Sequence, residues 1–354
     1  LYEYFFLAKI IEVAMNKRLN IAIVGATGAV GEALLTILGE RAFPVDKLYP
    51  LASSRSVGKT VMFNKRQLEV LDLATFDFSR VDIALFSAGG AVSKEFAPIA
   101  AKAGCIVIDN TSHFRNEKDI PLVVPEVNPQ RIADYKNRGI IANPNCSTIQ
   151  MVVALKPLYD AVGISRINVV TYQAVSGTGK KAVSELIAQT AELLNGRPAK
   201  PSVYPYQIAF NVIPHIDEFQ ENGYTREEMK MVWETQKIME DETILVNPTA
   251  VRVPVLYGHS EAIHLELKAP LSVAEARKIL AKAPGVKLVD NPAKLQYPTP
   301  ITHAIGHDDV FVGRIRKDIS HPNGLNLWVV ADNIRKGAAT NAVQIAEILQ
   351  SQYL

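Results

Sequence analysis

Cys146 is the residue of this 354-residue chain best placed to do covalent chemistry. It stands in Asn143-Pro144-Asn145-Cys146-Ser147-Thr148, where Pro144 and Asn145 close one element and the residues after them read as a helix. A thiol at a helix N-terminus meets unpaired backbone N–H groups and the positive end of the helix dipole, which lower its pKa and enrich the thiolate. The other cysteine, Cys105, lies in the apolar run Cys-Ile-Val-Ile-Asp and reads as a buried, inert small hydrophobe. Two cysteines exclude a disulfide scaffold and fit a reducing compartment.

A second feature is the glycine loop Gly25-Ala26-Thr27-Gly28-Ala29-Val30-Gly31, which follows an apolar run and opens a helix. Glycine permits a tight turn and close backbone approach, and the helix N-terminus offers N–H groups to a pyrophosphate. Gly25, Thr27, Gly28, Ala29 and Val30 are the expected cofactor contacts, although the spacing is GxxGxxG rather than GxGxxG. An NAD-preferring fold carries an acidic residue after its second strand to bind the ribose 2′-OH. Here the segment is Ser53-Ser54-Arg55-Ser56, and the hydroxyls and guanidinium of Ser54, Arg55 and Ser56 suit a 2′-phosphate, so NADP is expected. A thiolate beside a nicotinamide implies aldehyde oxidation: a thiohemiacetal forms, hydride leaves, and a thioester remains. The residues themselves leave open whether water, phosphate or coenzyme A takes the acyl group.

These groups need elements to hold them. Strands are expected at 19–24, 47–52, 81–86, 105–109 and 139–142, with helices at 28–38, 93–103 and 128–138 between them. Apolar strands without polar alternation, separated by helices, imply a parallel sheet covered on both faces. The glycine loop, Ser53–Ser56, the segment 87–90, Asn110-Thr111-Ser112-His113-Phe114-Arg115 and the Cys146 segment all follow such strands, and ligands in doubly wound folds bind at that edge. After Cys146, a helix from 147 to about 155 leads to more alternating strands at 167–175, 251–257, 262–267, 310–315 and 325–331. Helices are expected at 180–194 and 226–239, an irregular stretch at 197–216, and a closing helix from 337. The fold class is therefore α/β: a Rossmann-type doubly wound parallel sheet plus an α+β catalytic and dimerisation domain with a mixed sheet.

Composition agrees with two such domains. Hydrophobic residues are 48% and charged residues 21%, which excludes disordered, collagenous and coiled-coil chains. The formal net charge of +2 offers no broad field for nucleic acid or an anionic membrane, so neither partner is expected. Residues 1–14, LYEYFFLAKIIEVA, carry no basic n-region and no cleavage site and are too short to span a bilayer. They are expected to be a non-native extension upstream of a start at Met15, with a surface helix as the alternative. Domain boundaries are placed at 15–145 for the NADP-binding domain, completed by a C-terminal helix 333–354, and at 146–332 for the second domain.

Plainer explanations stand beside some motifs. Gly179-Lys180 lacks the upstream glycine and the following Ser or Thr of a phosphate loop. Thr225-x-x-Glu228 is a capping box, so Glu227 and Lys230, one helical step apart and continued by Glu234 and Lys237, could be a solvated charged face. His303, His307, Asp308 and Asp309 have metal-ligand types but no helix to align them, and no metal is expected. His259 and Arg252 fall on opposite faces of a straight strand, but Pro254 and Gly258 interrupt it.

Taken together, GATGAVG, SSRS, NTSHFR, NPNCST, YQAVSGTGK and RVPVLYGHS resemble the aspartate-β-semialdehyde dehydrogenase family from about Leu19 to the final helix. The resemblance implies a cytoplasmic homodimer or homotetramer that reduces β-aspartyl phosphate with NADPH, on the route to lysine, threonine and methionine. It implies Cys146 as the thioester nucleophile, His259 as general acid/base and Gln173 as the group orienting substrate. It implies Arg252 on the substrate α-carboxylate, Arg115 on phosphate, and Glu227 and Lys230 as a substrate-side pair, with Asn145 beside them. Ser176, Gly177 and Asn333 are implied as further cofactor contacts. An N-acetyl-γ-glutamyl-phosphate reductase is the nearest competitor, and a catalytically idle NADP-binding sensor is the non-enzymatic one.

Overall fold

The computed structural model describes residues 17–354, so the extension expected at 1–14 and the start expected at Met15 lie outside the described residues. The chain divides into two units, one running up to Pro144 and resuming as Ala338–Leu354, the other Asn145–Gly337.

In the first unit, apolar strands and amphipathic helices alternate as β1 (Leu19–Val24), α1 (Ala29–Glu40), β2 (Val45–Ala52), a hairpin β3 (Thr60–Phe63) and β4 (Arg66–Glu69), β5 (Leu71–Asp72), β6 (Ile83–Phe86), α2 (Gly90–Lys102), β7 (Ile106–Asp109) and β8 (Ile140–Ala142). The main sheet has the order β5-β2-β1-β6-β7-β8 and every pairing in it is parallel. β6, β7 and β8 are buried along their whole length, as strands covered on both faces must be. The strand order reverses between β1 and β6, which creates a crevice at their carboxyl ends. The C-terminal helix Thr340–Gln352 places Val343, Ile345 and Leu349 in the same core as Ile21, Leu34 and Ile108.

The second unit holds α3 (Cys146–Val162), β9 (Ile164–Gln173), α4 (Lys180–Leu194), α5 (Arg226–Met239), β10 (Leu245–Arg252), β11 (His259–Leu267), α6 (Val273–Leu280), β12 (Val286–Leu288), β13 (Val310–Lys317) and β14 (Gly324–Ala331). Its sheet runs β10-β9-β11-β14-β13-β12, with parallel outer pairs and antiparallel inner ones. The two fold classes expected from the sequence are both present.

Several elements differ from expectation for identifiable reasons. The segment expected as a helix at 128–138 is a 3₁₀ stretch, Pro129–Asn137, in which only Ile132 is buried, so no apolar stripe supports a regular α-helix. The strand expected at 251–257 is Leu245–Arg252: Pro248 is tolerated because β10 is an edge strand, bridged on its outer side only at Arg252, to Ile213, among the described residues, and the strand stops before Pro254. The closing helix starts at Thr340 rather than 333. Asn333 remains in the second unit because its Oδ1 accepts from the Gly258 backbone N–H at 2.8 Å and its Nδ2 donates to Ser176 Oγ at 3.0 Å.

Candidate active site

In the first unit, the loop after β1 turns sharply into α1. Gly25 has φ of +91°, and a Cβ on Gly31 would lie 2.2 Å from the Gly25 carbonyl oxygen, so this packing of turn against helix requires glycine. The helix N-cap, Gly28, supplies no side-chain cap. N–H groups at the N-terminus of α1 are thereby left for an anion, the arrangement a pyrophosphate needs. A cavity of about 540 Å³ opens beside it, lined by Gly25, Thr27, Gly28, Ser53–Ser56 and Asp72, with Ser87 and Ala88 on the β6 side. Ser54-Arg55-Ser56 forms a 3₁₀ turn in its wall, and Arg55 is exposed. The acidic member of the wall, Asp72, caps its own turn by accepting from the Ala74 N–H at 3.1 Å. Ala29 and Val30 open α1 beside this cavity.

The loop after β7 is organised by Asp109, which is fully buried. Its carboxylate accepts from Ser93 Oγ at 2.8 Å, Thr111 N at 3.0 Å and Thr111 Oγ1 at 2.8 Å. Burial nevertheless pushes its pKa up, against those hydrogen bonds and the Arg115 charge. Arg115 Nη2 donates to the Asn110 carbonyl at 2.8 Å, which closes the loop on itself.

In the second unit, Cys146 is the first residue of α3 and is half-buried. Asn145 is its N-cap: Oδ1 accepts from Ser147 N at 3.0 Å and Thr148 N at 3.3 Å. Two carboxylates of α5 hold the rest of Asn145. Glu227 Oε1 accepts from its Nδ2 at 2.8 Å, and Glu234 Oε2 accepts from its backbone N–H at 2.6 Å. Glu227 and Glu234 are two helical turns apart and so lie on one face of α5. A Cβ on Gly337 would stand 2.8 Å from Cys146 Cβ, so the chain packs directly on this cysteine. The side-chain amide of Asn145, expected to touch substrate, also holds the start of α3 and Glu227.

Glu227 is the centre of a wider network. Its carboxylate also accepts from Gln173 Nε2 at 3.1 Å and from Lys230 Nζ at 2.9 Å, and Lys230 in turn reaches Asp217 at 2.8 Å. Burial opposes the charge of Glu227, but Lys230, Asn145 and Gln173 outweigh it and hold its pKa at about 2. Burial likewise opposes the Lys230 ammonium, and its two carboxylate partners raise its pKa regardless. The capping box is present, and Glu228 Oε1 extends it by accepting from the Ala250 N–H, which ties α5 to β10. The sequence alternative of a solvated charged face fails here: Glu227, Glu228 and Glu234 are all buried, Glu227 and Glu234 against Asn145 and Glu228 against β10.

His259 opens β11 and Gln173 ends β9, and both are buried. The two peptide groups flanking Ala174 Cα bind both side chains: the Ala174 N–H donates to His259 Nδ1 at 3.0 Å, and the Ala174 carbonyl accepts from Arg252 Nη1 at 2.7 Å. A Cβ on Gly177 would lie 3.1 Å from Arg252 Nη1 and 3.3 Å from His259 Nε2, so guanidinium and imidazole converge on one point. The break at Pro254 and Gly258 is what lets them meet despite opposite strand parity. Gln173, Glu227, Lys230, Arg252, His259, Ser176 and Asn333 all belong to the unit that carries Cys146; Arg115 belongs to the other.

Glu234, Asp217, Gly337 and the Ala174 peptide were not singled out as site groups in the sequence. Only Glu234 leaves a signal there, its seven-residue spacing from Glu227. Cys105 is buried as expected, with its thiol pKa pushed up by burial. Asp308 pairs with Arg335, and the rings of His303 and His307 pack against Phe311; among the described residues no group of three His, Cys, Asp or Glu side chains is placed to hold a metal.

Comparison with known proteins points to one family. Residues 20–135 match the family model "Semialdehyde dehydrogenase, NAD binding domain", and residues 155–336 match "Semialdehyde dehydrogenase, dimerisation domain". The chain is 75% identical over 340 residues to an aspartate-semialdehyde dehydrogenase of Legionella pneumophila, covering 96% of this chain and 98% of that one. A Bacillus subtilis relative of the same name is 52% identical over 95% of this chain and 99% of its own. Among solved structures, an aspartate semialdehyde dehydrogenase II of Vibrio cholerae complexed with ASA superposes with a TM-score of 0.94 at 61% identity, covering 96% and 100% of the two chains. A Candida albicans enzyme with NADP gives 0.75 at 26% identity, covering 95% and 99%.

Proposed function

The chain belongs to the aspartate-semialdehyde dehydrogenase family, and from that premise we propose how its residues divide the reaction. The enzyme carries out the reversible, NADPH-dependent reductive dephosphorylation of L-aspartyl-4-phosphate to L-aspartate-4-semialdehyde and phosphate through a cysteine thioester, in lysine, threonine and methionine biosynthesis. NADP supplies the hydride acceptor or donor. The glycine loop, the bare N-terminus of α1 and the exposed Ser54–Ser56 turn fit its pyrophosphate and 2′-phosphate, and Gly25, Thr27, Gly28, Ala29, Val30, Ser54, Arg55 and Ser56 are the residues proposed to hold it, with Ser176, Gly177 and Asn333 as further contacts.

Cys146 is the proposed nucleophile. The observation that carries this role is its place at the head of α3, with Asn145 fixed by Glu227 and Glu234. Gln173 and His259 serve the reacting carbonyl, and Arg252 binds the substrate α-carboxylate. Glu227 remains anionic at neutral pH, which suits the substrate ammonium, and Lys230 and Arg115 take the phosphate or carboxylate charge. Near-neutral overall charge is compatible with this, since anion binding rests on a few placed groups.

The second unit matches a dimerisation domain, so the enzyme is an oligomer. A homodimer or homotetramer is proposed, supported by the rings of Tyr172 and Trp328, 5.6 Å apart on β9 and β14 and not fully covered within one chain. Among the described residues no helix is long and apolar enough to cross a membrane, and a cytoplasmic location is proposed because the reaction needs a reduced thiol.

The deciding experiment supplies phosphate and NADP⁺ with either aspartate semialdehyde or N-acetylglutamate semialdehyde and follows NADPH absorbance. Turnover is expected with the first. Turnover with only the second overturns the substrate assignment, and turnover by Cys146→Ala overturns the thioester.

A further inference from the structure

The stretch 197–216, expected to be irregular, carries no helix and no regular strand, yet it is fastened along its length. Glu185 and Gln189, one turn apart on α4 and both buried, supply the first anchors. Glu185 Oε2 accepts from Ser202 Oγ at 2.6 Å, from Ser202 N at 3.2 Å and from Val203 N. Burial opposes that carboxylate, but these donors hold its pKa below the usual range. Gln189 Nε2 donates to Glu185 Oε1 at 3.0 Å, and Gln189 Oε1 accepts from Ile208 N at 2.9 Å and Ala209 N at 3.1 Å. Ile208, Ala209 and Ile213 share a core with Val175 and Leu186. The last anchor is Arg252 itself, whose backbone exchanges hydrogen bonds with Ile213 at 2.8 and 2.9 Å.

Tyr204 stands between these anchors, and Pro205 restricts it to extended backbone. Arg252 Cζ lies over its ring, 5.9 Å from the centroid, inside the reach of about 6 Å of a cation–π contact. The Tyr204 hydroxyl donates to Thr178 Oγ1 at 3.0 Å, which ties the far end of the ring to the 3₁₀ turn Val175–Thr178. Burial pushes the phenol pKa up, with Arg252 and Thr178 opposing it in part, so the ring is neutral.

Arg252 is buried, and among the described residues no carboxylate accepts from its guanidinium: Nη1 donates to the Ala174 carbonyl, and Nε is without a partner. A carboxylate partner would fix the fork but occupy the donors that an incoming carboxylate needs. An aromatic face attracts the cation through its quadrupole and takes none of those donors. We propose that Tyr204 is a positioning residue for the reaction: its ring, held by the strap 197–216, orients the Arg252 guanidinium for the substrate α-carboxylate. This rests on the role given to Arg252 above.

The test measures kcat and the KM values for aspartate semialdehyde and phosphate in Tyr204→Leu, in Tyr204→Phe, and in a series with mono-, di- and trifluorinated phenylalanine at position 204. Fluorine withdraws charge from the ring face and leaves its shape nearly unchanged, so the series folds wherever Tyr204→Phe does. Tyr204→Phe is expected to keep KM for aspartate semialdehyde within about twofold of native, and Tyr204→Leu to raise it about five- to tenfold. The fluorinated rings raise it stepwise towards the leucine value. KM for phosphate and kcat stay within about twofold, because the arginine contact is carried equally into the transition state. A flat fluorine series shows that the ring only fills space and overturns the proposal. Equal rises in both KM values, or a Tyr204→Phe enzyme as deficient as Tyr204→Leu, overturn it as well. Native enzyme that does not turn over aspartate semialdehyde overturns the functional assignment and the proposal with it, whereas a flat series in an active enzyme overturns the proposal alone.

Discussion

Asn145→Ala isolates the device that holds Cys146, the proposed nucleophile. The substitution removes the acceptor for Ser147 N and Thr148 N and the donor to Glu227 Oε1, but leaves the backbone bond to Glu234 in place. Loss of the helix cap costs about 1 kcal/mol. Loss of a hydrogen bond to a buried carboxylate costs about 2 kcal/mol more. A total of about 3 kcal/mol lowers Tm by about 6–12 °C in a unit of this size. Turnover suffers further, because Cys146 follows directly in the chain and a displacement of about 1 Å is worth about 100-fold. The informative companion is Asn145→Asp, which keeps the cap but sets a second carboxylate within 3 Å of Glu227, where Nδ2 now lies 2.8 Å from Oε1. Its deficit is therefore expected to shrink as the pH falls and one of the pair takes a proton. Calorimetry and kcat read these effects, with NADPH affinity as the control, since the glycine loop belongs to the other unit. An Asn145→Ala enzyme with native kcat and a Tm unchanged to within about 1 °C would refute this account of the N-cap.

Three further outcomes are expected. Arg55→Ala weakens NADPH binding by about tenfold or more and NADH binding little, since it removes a charge-assisted bond to the 2′-phosphate; equal losses measured by fluorescence titration exclude that contact. The folded-state pKa of Glu227 lies below its usual value, so its stabilisation is complete above about pH 4.5 and is lost as the pH falls towards about 2. The gap in unfolding free energy between native enzyme and Glu227→Gln should accordingly shrink by about 3 kcal/mol over that interval, and a gap independent of pH contradicts it. Gly337→Ala puts a methyl group 2.8 Å from Cys146 Cβ, so overpacking of about 1–3 kcal/mol and slower alkylation of Cys146 by iodoacetamide are expected; native alkylation rates would show that the backbone yields without moving the thiol.

The mixed legibility of this chain has a physical pattern. The glycine loop could be read because a turn of positive φ that packs against its own helix admits little else, as Gly25 and Gly31 show. The parallel sheet could be read because strands covered on both faces are uninterruptedly apolar, as in Ile-Ala-Leu-Phe of β6. Cys146 stood out because its reactivity is set locally, by the end of a helix. The strand bounds at 251–257 missed β10, because sequence does not say that a proline-bearing run such as Leu245–Arg252 lies at the edge of a sheet.

What the sequence determined by itself was the inventory: which thiol heads a helix, which glycine loop follows the first strand, which fold classes and, through the combined motifs, which family. Tertiary structure decided how those groups are charged and held. Glu227 and Glu234 look like any solvated helical carboxylates until the face of α5 is buried against Asn145. His259 has no legible partner until a backbone N–H from a different strand end meets its Nδ1. Protonation and orientation are set by neighbours brought together from more than 80 positions away in the chain. No local spacing encodes such neighbours, so the chemistry of these residues becomes definite only once the chain has folded.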